Sequence, residues 1–114
     1  AAALAARAGG YDPALVERTV EKLKSVLGAD NVVEIPPTTG GEDFAEYGRT
    51  EHDVPIFMMR LGTADPGSDP AGRPGLHSPL FTPQPVDLTL RTGVTAMTEA
   101  VMNLLAGGPA GEGE

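Results

Sequence analysis

Glycine and proline partition this sequence before any other pattern does. Ten of these residues fall between Gly62 and Pro85, and five more between Gly107 and Gly113. Proline fixes φ and lacks a backbone donor, while glycine loses the most conformational freedom on ordering, so neither stretch sustains regular structure. The 114 residues suffice for one small domain. A total of 15 Gly and 11 Pro would suggest low complexity if they were evenly spread, but their clustering leaves segments of ordinary globular composition.

Those segments carry readable elements. Asp12-Pro13 is a helix start, because the Asp side chain can cap free N–H groups and Pro is tolerated at the first helical position. Val16, Val20, Leu23 and Leu27 then follow at helical intervals, and Gly28 stands where the helix should end. Asn31 to Ile35 predicts a short buried strand stopped by Pro36-Pro37. Thr38 to Phe44 predicts a flexible turn entering a short helix through about Tyr47. The run VPIFMMRL, Val54 to Leu61, is apolar without alternation, as in a strand covered on both faces. Leu90, Val94, Met97, Val101 and Leu104 or Leu105 mark an amphipathic helix entered near Asp87 and closed at Gly107. This order of helices and strands implies an α/β segment. Residues 1–10 are expected to be a linker or disordered N-terminus, 11–106 the folded part and 107–114 a disordered tail.

Charge and composition exclude several classes. Sixteen acids against eight bases give a net charge of -8, and no Lys/Arg cluster is present to neutralise phosphates, which argues against a nucleic-acid partner. No apolar run approaches the roughly 20 residues of a membrane span. With no cysteine, any metal must be held by His, Asp or Glu, and a cytoplasmic location is expected. Only three Phe, two Tyr and no Trp are available, which is thin for a self-sufficient core.

Few residues could carry chemistry. Of the two histidines, His52 lies among Glu51 and Asp53 and reads as an ordinary surface residue. His77, in Gly75-Leu76-His77-Ser78-Pro79 within the long loop, reads either as a loop histidine bonded to backbone or as a site residue. Gly40-Gly41-Glu42-Asp43 is a glycine-rich helix entry whose N–H groups could receive an anion such as a carboxylate. A plain turn followed by first-turn acids that complement the helix dipole is the other reading, and the residues alone favour it. No serine or cysteine nucleophile motif and no phosphate loop is present.

Taken in order, PTTGGEDFAEYG, VPIFMMRLG, a long loop ending in GLHSPLF, and a C-terminal amphipathic helix resemble the C-terminal part of the M20 family of metallopeptidases and amidohydrolases. The branch containing the hippurate and auxin-conjugate hydrolases is the most similar, over residues 11–106. The resemblance implies a partial α/β/α sandwich, the C-terminal part of a zinc-peptidase-like catalytic domain. It also implies an amide hydrolase of N-acyl amino acids or small peptides that uses two divalent ions, zinc first, with manganese or nickel as alternatives. His77 would then be a metal ligand, and Gly40, Gly41, Glu42 and Asp43 would line the substrate pocket.

In that family the remaining ligands and the paired glutamates belong to an N-terminal half absent from this sequence, so neither Glu42 nor Asp43 is assigned as catalytic base. The chain is therefore expected to be a fragment that is inactive alone. Its partners would be the N-terminal part of the enzyme and the substrate, with a homo-oligomeric parent and no membrane association. A non-catalytic α/β interaction module that lost the metal site is the alternative.

Overall fold

The structure, a computed structural model, describes residues 2–5, 12–35, 43–52, 54–65 and 67–107. Its first strand, β1 (Ala2–Ala5), is followed by helix α1 (Pro13–Leu27), strands β2 (Val32–Ile35) and β3 (Arg60–Leu61), and helix α2 (Val86–Ala106). Short 3-10 helices cover Ala29–Asn31, Asp43–Arg49 and Pro70–Gly72.

Local chemistry sets the ends of α1. Asp12 is extended, and its Oδ1 accepts the Leu15 N–H at 2.7 Å, satisfying one of the donors that a helix start leaves free. Pro13 occupies the first turn, where its missing donor costs nothing. At the far end Gly28 adopts φ +91°, a conformation that a Cβ makes costly, and its N–H donates to the Lys24 carbonyl at 3.0 Å. The Asn31 side-chain amide donates to the Leu27 carbonyl at 2.7 Å, so a second terminal acceptor is satisfied.

The two helices pack directly on each other. From α1 come Leu15, Thr19 and Leu23, all buried. From α2 comes a row of small residues, with Thr89, Ala96 and Ala100 buried and Gly93 and Asn103 partly so. Small side chains let the helix axes approach, and polar groups enclosed there must find partners. Asn103 accordingly donates from Nδ2 to the Thr19 hydroxyl at 3.4 Å, and Lys22 meets Glu99 at 3.2 Å nearer the surface. Leu23, Val32 and Ala96 form the core cluster, with Val20, Leu27, Phe57 and Met59 against it.

Strand β1 lies in the middle of a small sheet of order β2-β1-β3, parallel to β2 from Ala2↔Val32 to Ala5↔Ile35 and antiparallel to β3 at Ala2↔Leu61 and Ala3↔Arg60. Within residues 1–10, expected to be a linker or disordered, Ala2–Ala5 thus supply the central strand. At Gly93 a Cβ would stand 3.0 Å from Leu61 Cδ2, a tight contact that the Leu61 side chain would have to relieve by a small shift.

The α/β class expected from the sequence, a partial α/β/α sandwich, is overturned. The protein is mostly helical, with α-helices of 15 and 21 residues against strands of only 4, 4 and 2. Because α1 touches both α2 and β2 while α2 touches α1 and β3, the helices share one layer rather than sandwiching a sheet. Among the described residues, the long strand expected at Val54 to Leu61 joins a ladder only at Arg60–Leu61. Pro55 supplies no ladder donor, Val54 is half exposed, and only Ile56 of that run is buried.

The apolar stripe by which α2 was recognisable is not the face it buries. Leu90, Val94, Met97, Val101 and Leu104 all lie exposed, with Val94 at 67% and Met97 at 58%. The small-residue face, rotated around the helix from that stripe, is the one that fits against Leu15, Thr19 and Leu23.

Leu23→Ala is expected to lower stability by about 2–5 kcal/mol through lost burial and a residual cavity. Asp12→Ala, which removes only the cap, should cost about 1 kcal/mol. Urea denaturation checks both, with the midpoint falling and the slope unchanged.

Candidate functional site

The long segment from Gly62 to Pro85 is a closed loop. Its base is joined by the Gln84 N–H donating to the Thr63 carbonyl at 2.8 Å, so the chain leaves and returns at nearly the same place. Inside it, Asp65 Oδ1 accepts the Gly67 N–H at 3.0 Å, and Asp69 Oδ1 accepts the Ala71 N–H at 3.0 Å. These are the local turns that Asp makes with backbone two residues on.

Arg73 draws these turns together. Its Nε donates to Ser68 Oγ at 2.8 Å, and one terminal nitrogen donates to the Asp65 carbonyl at 3.0 Å and the Ser68 carbonyl at 2.6 Å. The planar guanidinium suits this role because its donors point in fixed directions. No sequence motif pointed to Arg73. The signal was present only as an isolated cation in a segment with two aspartates and a serine.

His77 follows this clamp on a second turn, closed by the Ser78 N–H donating to the Gly75 carbonyl at 2.9 Å. Ser78 then accepts, through Oγ, the Leu80 N–H at 3.2 Å, and its carbonyl accepts the Phe81 N–H at 3.0 Å. The turn therefore holds its own backbone while presenting Leu76 and His77 to solvent. His52 is also exposed, with Nε2 3.8 Å from Glu51 Oε1.

Of the glycine-acid segment, Gly40, Gly41 and Glu42 lie outside the described residues. Asp43 opens the 3-10 helix Asp43–Arg49 and is exposed. That helix is steadied by Arg49 and Glu46 at 2.6 Å and by the tilted rings of Phe44 and Tyr47, 5.6 Å between centroids. Among the described residues, no group of three or more His, Asp or Glu side chains gathers as metal ligands. The described part of the chain offers two accessible imidazoles, of which His77 stands on an internally bonded turn. No described helix is long and apolar enough to cross a membrane.

Comparison with known proteins returned no matching family model, curated protein or solved structure.

Arg73→Ala removes three hydrogen bonds at once from the loop. It is expected to speed amide hydrogen exchange and proteolytic cleavage within residues 65–73 while moving the global urea midpoint by no more than about 0.5 kcal/mol in stability.

Proposed function

We propose that this chain is the C-terminal segment of a metal-dependent amidohydrolase that cleaves N-acyl amino acids or small peptides, and that it is inactive alone. The observation that carries the reading is the order GGEDF, VPIFMMRLG, GLHSP and C-terminal helix along one short chain. Two structural features support incompleteness. The outer strand β2 has one pairing edge unused within the described sheet, and Val33 on it and Val54 are 46% and 49% exposed. Such edges and apolar side chains suit docking of further chain.

In this reading His77 would hold one ion, and the Gly40-Gly41-Glu42-Asp43 turn would orient the substrate carboxylate through backbone N–H groups. The ions, when bound, supply Lewis acidity that polarises the amide carbonyl and activates water. The remaining ligands and the general base would come from the N-terminal part. The absence of cysteine from the sequence suits a cytoplasmic enzyme. A non-catalytic interaction module is the second reading, favoured by the breadth of exposed apolar surface on α2.

The chain alone, with zinc or manganese added, is expected to give no turnover of an N-acyl amino acid. Co-expressed with its upstream coding region it should give turnover that His77→Ala abolishes without loss of folding, and Gly41→Val should raise KM. Activity indifferent to His77→Ala would remove the metal-ligand assignment, and an upstream region lacking His, Asp and paired Glu motifs would favour the module.

A further inference from the structure

We infer that Arg73 is a positioning residue for His77, fixing where the Gly75–Ser78 turn stands. What that placement serves, an imidazole held for a metal ion, rests on the hydrolase reading, but the placement itself does not. The loop reaches His77 by two legs. On the later leg Phe81 and Pro83 are half-buried and the Gln84 N–H donates to the Thr63 carbonyl, so packing and closure both hold it. On the earlier leg every residue from Asp69 to His77 is exposed. With no core beneath it, that leg is placed by its polar bonds.

Those bonds converge on Arg73. Asp65 lies two residues after Thr63 at the base of the loop, and Arg73 lies four residues before His77. The Nη2 bond to the Asp65 carbonyl therefore ties the base to the approach to the histidine. The bonds to the Ser68 hydroxyl and carbonyl fix the direction of the guanidinium, and Ser68 is itself held on the Asp65 carbonyl by its N–H at 3.0 Å and its Oγ at 2.8 Å. Pro74, with its fixed φ, then leads into Gly75, whose carbonyl closes the turn. All three acceptors of the guanidinium are neutral, while Oδ1 of Asp65 and of Asp69 accepts a backbone N–H. The loop thus uses the fork of donors rather than the charge, and a lysine, whose donors sit on one point, does not replace it. Without Arg73 the turn keeps its own bond but is steered by one leg.

Residual dipolar couplings of the weakly aligned chain test the placement directly. In the unaltered chain the amides of residues 75–78 are expected to share the alignment of α1 and α2. In Arg73→Ala and Arg73→Lys alike those couplings should fall by at least about half, with far-UV circular dichroism unchanged. The temperature coefficient of the Ser78 amide shift, which reports the bond to Gly75, should not move. Couplings that survive either substitution overturn the inference. So does loss of the Ser78 bond, which would make Arg73 a support of the turn itself rather than of its position. In the enzyme co-expressed with its upstream region, both variants should raise the zinc dissociation constant at least tenfold and lower kcat with KM unchanged. Zinc binding that Arg73→Lys retains in full, where His77→Ala loses it, also overturns the inference. Zinc binding indifferent to His77→Ala removes the ligand assignment instead, and the couplings still decide the placement, so the two readings fail separately.

Discussion

The close approach of α1 and α2 is the contact on which the other features of this fold depend. It sets Ala96 of one helix against Leu23 of the other, with Asn103 reaching Thr19 and Glu99 reaching Lys22. Small residues allow short axis separation, and the buried Thr19 hydroxyl then needs the Asn103 amide as a partner. Gly93 faces the sheet, where an added Cβ would stand 3.0 Å from Leu61 Cδ2, so that side chain would have to give slightly. Much of the enclosed core is the short list Leu23, Val32 and Ala96 with its half-buried neighbours.

Once the small face of α2 is committed inward, its large apolar side chains have only solvent before them. A helix normally buries the broad stripe and exposes the polar remainder. Here the buried row is small and partly polar, and the exposed row is large and apolar.

The loop from Gly62 to Pro85 shows how far local chemistry reaches toward a site. Aspartate and serine turns, the Arg73 clamp and the Thr63–Gln84 closure give order without a core beneath them. They can place the turn bearing His77, because each bond spans a few residues or joins the loop's own ends. They cannot bring other ligands to it. His77 was legible as a candidate from its motif, and Asp43 lies on the short helix expected after the glycines, but their roles rest on residues beyond those the structure describes together.

By itself the sequence determined the features that need only neighbours. Asp12 and Pro13 start α1, and Gly28 and Gly107 stand at helix ends, because capping and backbone preference act within a turn or two. Tertiary structure decided the rest. Whether α2 buries alanines or leucines depends on the shape of α1 some seventy to eighty residues earlier in the chain. Among the described residues the run VPIFMMRL, which read as a doubly covered strand, joins a ladder only at Arg60–Leu61, because strand pairing depends on which other segments the fold brings alongside. Conversely, the alanine-rich Ala2–Ala5 became the central strand despite a composition favouring helix, since pairing on both sides outweighs a weak intrinsic preference. Burial and pairing are properties of two surfaces at once, and the sequence of either surface alone does not contain the fit.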